Sequence, residues 1–414
     1  MRKFFLLLCM IMIGLATSAC NRDAEEEIVE LTFVRIGSDQ AETDHWRGVI
    51  ERFEAENDNI RISYDNAAIG EPMETMLTTM FAGGMGPDII GHGILSVANR
   101  VEAGHYIPIT HFFEEWEGRD DILPSLLANG YYRGEVFGLA YSATPFIFAY
   151  RRDLLEEAGL PGPPRTWDEL AKYAEILTQR DANGNITVAG FAFPMTAGNF
   201  VDFDVFVFGN GGRFFYEDRL MMNTPDKFEA FEFLIPLVNN FNLPFSAGDV
   251  NPFIMGSASM TLINNVALHP MLNNPDFDGL VGIAMPPYNS NNPNARPMTF
   301  SGSNMFFIGR DSRHPDLAFS FIEFALSVDE VLGRAQELNI PVTRSSAAEA
   351  FIAMDEMNAI RAQAVANGIG MPRVVWSATF QRVRNEMVQE ILYGGADIQA
   401  ILDRAQEELE REMR

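Results

Sequence analysis

The chain has 414 residues, 57 acidic against 30 basic, for a net charge of −27 with neutral histidines. That balance argues against nucleic acid and anionic membrane surfaces as partners, because both would repel it. Hydrophobic residues make up 47%, enough for two domains with large cores, yet no apolar run after residue 20 reaches the roughly 18 residues of a membrane span.

The first residues read as a processing segment. Arg2 and Lys3 precede an apolar run from Phe4 to Leu15, and Thr17-Ser18-Ala19 are small residues ahead of Cys20. A Cys in this place is similar to a lipobox cysteine, which is acylated and becomes the mature N-terminus. An ordinary signal peptide cut near Ala19 is the alternative. One acyl chain holds a membrane marginally and two hold it stably. Residues 21–27, ending in Glu25-Glu26-Glu27, would form a polar tether. Cys9 falls inside the removed segment, so the mature fold has no disulfide to form.

The body of the chain opens with strand and helix signals in alternation. Leu31 to Ile36 is strand-like and ends at Gly37; Trp46, Val49, Ile50 and Phe53 mark the inner face of a helix from about Ala41 to Glu56. Ile60 to Tyr64 is a second strand, Met73 to Ala82 a helix closed by Gly83-Gly84, and Asp88-Ile89-Ile90 lies on a third strand. Such an order implies parallel strands, with ligand groups beyond their carboxyl ends. Those ends carry Ser38, Asp39, Gln40, His92 and Gly93.

Residues 134–170 run strand, kink, strand, helix, break, helix. Pro145 interrupts two apolar strand-length runs, Gly159 stops a short helix, and Thr166 with Glu169 forms a capping box for a helix to Arg180. Asp181 to Asn185 is a hairpin-type turn; its Gly falls at the wrong position for a calcium loop. Asn199 to Phe208 is apolar with Asp202 and Asp204 embedded, Gly209-Asn210-Gly211-Gly212 is a turn, and Thr224-Pro225 starts a helix that Pro236 kinks or ends. Val281 to Met285 is a strand, and an Arg/Glu-laced helix closes the chain.

The 134–170 stretch resembles bacterial extracellular solute-binding proteins of the sugar ABC-importer type. The shared residues are Gly138-Leu139, Tyr141, Pro145, Tyr150, Asp153-Leu154, Ala158-Gly159-Leu160 and Thr166-Trp167-Asp168-Glu169-Leu170. Ala140 replaces a usual Pro, and Arg151-Arg152 replace Asn-Lys. Phe253 to Asn265 and Ile340-Pro341-Val342-Thr343-Arg344 resemble further passages, although Val266 stands where that family often has a ligand-stacking Trp. The resemblance implies an α/β, two-lobe periplasmic-binding-protein-like fold (type II), each lobe a mixed sheet flanked by helices, with three hinge crossings near 141, 303 and 341. The expected lobes are 28–141 plus 303–340, and 142–302 plus 341–414.

The expected function is capture of an extracellular carbohydrate, an oligosaccharide, and its delivery to ABC permease subunits. A lipid-anchored monomer on the outer face of the membrane is expected, with Cys20 as the lipid site and no cofactor or metal. An exported glycan-active enzyme and a solute-sensing surface lipoprotein are the alternatives. No His-Glu-x-x-His, Gly-x-Ser-x-Gly or phosphate loop occurs; with 57 acidic residues, counting cannot exclude a pair of carboxylates suited to glycoside hydrolysis. Sugars offer apolar C–H faces to aromatic rings and hydroxyls to polar side chains. On that chemistry the candidate ligand residues are Asp39, Gln40, His92, Tyr141, Phe193, Asn199, Asp202, Asn264, Ser303, Asn304, Arg344 and Trp376. Each has a plainer role open to it: Asp39 as a helix cap, Arg344 as an ion-pair partner, Phe193 and Trp376 as core.

Overall fold

The computed structural model describes residues 28–414 except 38, 69, 196–199, 217–218 and 247. The leader, the tether, Cys20, Ser38 and Asn199 lie outside the described residues.

Strands β1 (Val29–Ile36), β2 (Ile60–Ala67) and β3 (Ile89–Gly93) are connected through helices α1 (Gln40–Glu56) and α2 (Glu71–Ala82). Both β2 and β3 pair with β1 in parallel, as the alternating order requires. Trp46, Val49, Ile50 and Phe53 are buried along one face of α1. Alternation along β1 sends Leu31 and Phe33 into one core and Val34 and Ile36 into another on the opposite side of the sheet.

Two long strands join this first lobe to the second. Strand β4 (Gly138–Arg151) follows helix α3 (Pro124–Gly130), and β7 (Thr299–Ile308) returns antiparallel to it. In the first lobe β7 lies between β3 and the start of β4. In the second, β4 continues between β5 (Met260–Asn264) and β6 (Val281–Ala284), antiparallel to both. The sheet order is thus β5-β4-β7-β3-β1-β2, running through both lobes. Asn304 pairs with Ser142 but Met305 with Ala140, which leaves Tyr141 as the extra residue of a bulge. Bulges bend a strand and re-aim its side chains. The Tyr141 carbonyl accepts instead from the buried Arg334 guanidinium, whose other arm reaches Glu42 at 2.8 Å; Glu42 also holds the buried Arg35 at 2.6 Å.

The second lobe packs α4 (Trp167–Leu177), α5 (Val201–Gly209), α6 (Pro225–Phe241), α11 (Ser377–Gly394) and α12 (Ile398–Glu412) around a core rich in phenylalanine, including Phe148, Phe191, Phe193, Phe206 and Phe231. One boundary differs from the sequence expectation, and of the two roles open to Pro236 it does not end its helix. Helix α4 stops at Leu177 and not Arg180: the Thr178 hydroxyl donates to the Ala174 carbonyl at 2.6 Å and accepts from the Gly190 N–H at 3.1 Å, turning the chain into a short strand. Helix α6 runs on through Pro236 because Leu234, Leu237 and Val238 on either side of it are buried, so packing offsets the lost hydrogen bond.

After β7, helices α7 (Pro315–Ala325) and α8 (Val328–Leu338) complete the first lobe. Around residues 339–346 the chain touches both lobes: the Asn339 backbone meets His269 of the second, and the next residues meet the first. Leu123 donates to the Thr343 carbonyl, and Ser345 and Ser346 both bond Asp121. Helix α9 (Ala348–Met354) packs on α8, and α10 (Asn358–Ala366) lies over β4 and β7. Ala364 of α10, with Met357 and Ile360, packs into the second-lobe core around Ile147 and Ala149, and β8 (Gly368–Ile369) then pairs with β7 at Thr299 and Phe300.

Candidate ligand-binding cleft

A groove of about 920 Å³ lies between the lobes. The first lobe contributes the end of α3 and the turn Tyr131–Gly134; the second contributes Phe208 and Arg213–Phe215 beyond α5, and residues 368–376 beyond β8. Arg133 (φ 51°) and Gly134 (φ 83°) are both left-handed and form the tight turn that pairs Tyr131–Tyr132 with Glu135–Val136. The Asn129 amide donates to the Ser303 hydroxyl at 3.1 Å, so a groove residue is anchored on a strand that crosses between the lobes. Opposite it, a Cβ on Gly370 would stand 2.3 Å from Asn129 Oδ1 and 2.7 Å from Ile94 Cδ1. Glycine there lets the backbone after β8 touch the first lobe. The Trp376 ring is half-buried, 5.8 Å from Phe215 and 6.5 Å from Phe380, and forms an aromatic wall. An aromatic plane beside amide and guanidinium donors suits a ligand with apolar faces and polar edges. Among the described residues no group of three or more His, Cys, Asp or Glu is arranged to hold a metal.

The profile of the bacterial extracellular solute-binding protein family matches residues 37–331, well over half of the chain. The chain belongs to that family. A binding protein of Brucella abortus is 27% identical over 158 residues, and an ABC transporter extracellular-binding protein of Pyrococcus horikoshii is 26% identical over 187. These matches span only 37% and 41% of the relatives' own lengths. Among solved structures, the sugar-binding protein MalE of Xanthomonas citri superposes with a TM-score of 0.81 at 18% identity, covering 92% of this chain and 96% of that one. The cyclic α-maltosyl-1,6-maltose binding protein of Arthrobacter globiformis gives 0.80 at 21%, covering 92% and 97%. A Thermotoga lettingae solute-binding protein bound with α-D-tagatose gives 0.76 at 22%, covering 92% and 99%. At these identities the structural likeness establishes the two-lobe fold.

Within this family fold, the residues singled out from the sequence fall into three groups. Trp376 lines the groove, and Ser303 supports it through Asn129. Asn304 is half-buried on β7, beside Gly93 at the end of β3. Asp39 and Gln40 are exposed but locally engaged: the Asp39 carboxylate accepts the Glu42 N–H at 3.1 Å as a helix cap, and the Gln40 amide donates to Asp44 at 2.7 Å. Asn264 accepts the Val266 N–H at 2.9 Å at the end of β5. The remaining described candidates need correction, because their side chains are enclosed. Tyr141 sits in the first-lobe core, its ring 5.1 Å from Trp46 and 4.6 Å from Phe306, with the bulge turning it inward. Phe193 is wholly buried in the second-lobe core. His92 is buried 3.0 Å from a Glu74 carboxylate that also pairs with Arg100; those two partners, His92 first, draw Glu74 down to about 2. Arg344 is used structurally: it bonds Asp121 at 2.7 Å and the Leu326 carbonyl at 2.7 Å, over the Trp116 ring.

Asp202 lies on the first turn of α5, whose residues are all buried. Burial pushes its carboxyl up to about 7, with Asp204 adding like charge and Arg384 opposing. Asp204 meets the buried Arg384 guanidinium at 2.5 Å.

Sequence reasoning passed over Asn129, Tyr131, Arg213 and Arg373. One signal was present. No Asp or Glu occurs between Glu356 and Glu386, an acid-free run in a strongly acidic chain, and Arg373 and Trp376 stand near its middle.

Proposed function

We propose that this protein captures an extracellular carbohydrate, an oligosaccharide, between its lobes and hands it to the permease subunits of an ABC importer. The observation that carries this reading is the groove of about 920 Å³ with walls from both lobes, combining Trp376, Phe215 and Tyr131 with amide and guanidinium donors. Its volume lies within the ~300–1,000 Å³ typical of small-molecule sites. The ligands named for the similar structures, tagatose and a cyclic maltosyl-maltose, support a saccharide. The moving bodies are divided at the three crossings near 141, 303 and 341. Closure is hinge bending there, and a ligand favours it only by binding the closed state better. Binding involves no covalent step, so the saccharide leaves unchanged. Cys20 would carry the lipid that holds a monomer at the outer face of the membrane.

A thermal-shift screen over mono- and oligosaccharides, polyamines and peptides tests this. A ligand at 100 times its Kd adds about 2.7 kcal/mol. With an unfolding entropy of about 2.1 cal/mol/K per residue, that raises Tm by about 3 °C. A flat response to every saccharide refutes the proposal.

A further inference from the structure

The charge lining the groove narrows the class of saccharide. At the chain's overall frequency of acidic residues, about three of the 21 lining residues would be Asp or Glu. Among the described residues none is, and three are arginines: Arg133, Arg213 and Arg373. Arg133 is matched at the rim by Glu102 at 3.0 Å. The other two have no carboxylate within ion-pair distance among the described residues, unlike the buried Arg35, Arg334 and Arg344, each of which reaches one at 2.6–2.8 Å.

Arg213 donates to the Gly212 carbonyl at 2.6 Å and lies over the Phe208 ring. Asp226, the acid that acts on it among the described residues, is paired with Lys227 at 2.7 Å, and Arg296 adds like charge. Arg213 is half-buried, and desolvation lowers its pKa; Arg373 stands exposed at the groove wall. Two cations lining a shared groove, with no carboxylate at ion-pair distance among the described residues, are arranged for a ligand that brings counter-charge. Long-range repulsion from the acidic surface is screened beyond about 10 Å at 0.1 M salt, so contact charges decide the outcome.

We infer that the groove takes an acidic saccharide, with the Arg213 and Arg373 guanidiniums holding uronate carboxylates while Trp376 and Phe215 cover the sugar faces. The inference rests on the saccharide reading of the same groove. A guanidinium fork matches a carboxylate with two parallel hydrogen bonds, whereas a neutral sugar offers hydroxyl acceptors but no counter-charge.

The test is calorimetric titration of the full-length protein with galacturonate, mannuronate and glucuronate trisaccharides, maltotriose and sodium sulfate, at 50 and 300 mM NaCl. At least one uronate trisaccharide should bind ten-fold or more tighter than maltotriose and weaken at the higher salt. Arg213→Gln and Arg373→Gln should each lose ten-fold or more for the uronate, with Tm of the unliganded protein unchanged. Equal or tighter binding of maltotriose, or uronate affinity untouched by both variants, overturns the inference and leaves carbohydrate capture standing. Sulfate binding as tightly as the uronates overturns it in favour of a simple anion site. Binding of no saccharide at all removes both readings.

Discussion

Replacing Asp202 by Asn isolates the effect of enclosing a carboxyl group in the second lobe. The side chain lies on the first turn of α5. The charged groups acting on it are Asp204, which disfavours ionisation, and Arg384, which favours it; enclosure outweighs both and raises the pKa to about 7. An unfolded chain ionises the same group near 3.9. Between about pH 4 and pH 7 the folded protein therefore keeps a proton that the unfolded chain has lost, and stability falls as pH rises. The slope approaches 1.4 kcal/mol per pH unit, and the total is about 4 kcal/mol, reached as pH passes 7. Asparagine does not titrate and occupies nearly the same volume. Urea unfolding of both proteins at pH 5, 6, 7 and 8 should show Asp202→Asn gaining on the parent steadily across the series, with most of the gain by pH 7. Parallel pH profiles for the two proteins would refute the reasoning, since Arg384 would then be holding Asp202 ionised throughout.

Other substitutions read other parts of the fold. Arg344→Met strands the Leu326 carbonyl and removes one partner of Asp121, which keeps Ser346, and should cost about 1–3 kcal/mol in chemical unfolding, with Kd for the best saccharide changed less than three-fold. Trp376→Ala removes the half-buried ring from the groove and should weaken that saccharide by roughly ten-fold or more, equivalent to about 1.4 kcal/mol, while Tm without ligand stays within about 2 °C. Gly370→Ala places a methyl group 2.3 Å from Asn129 Oδ1 and 2.7 Å from Ile94 Cδ1. It should prop the lobes apart, seen as a larger radius of gyration by small-angle scattering and a weaker Kd.

The parallel opening, the helix faces and the caps were legible in the sequence because each is set by neighbours a few residues apart. Thr166 does accept the Glu169 N–H at 3.2 Å, as its capping box indicated. The cleft was less legible because lining it depends on which way a strand end faces. Tyr141 ends an apolar run and looked poised for a ligand, but a one-residue bulge against β7 turns its ring into the core. Arg344 and His92 have the chemistry of binding residues, yet each meets a carboxylate distant in sequence, Asp121 and Glu74. Ile340 to Arg344 resembles a crossing motif, and its surroundings join both lobes: Arg344 bonds Asp121 of the first, and the Asn339 backbone meets His269 of the second. Arg213 and Arg373 were overlooked because they lie 160 residues apart in sequence and share a groove only once the lobes are assembled.

Fluorescence titration with the saccharide of highest affinity examines capture between the lobes most directly. Trp46, Trp116 and Trp167 are buried in the lobe cores, and Trp376 alone of the four tryptophans lines the groove. Saturable change in tryptophan emission is expected for the parent protein, with most of the amplitude lost in Trp376→Phe. An undiminished signal in that variant, at unchanged affinity, would place the ligand somewhere other than between the lobes.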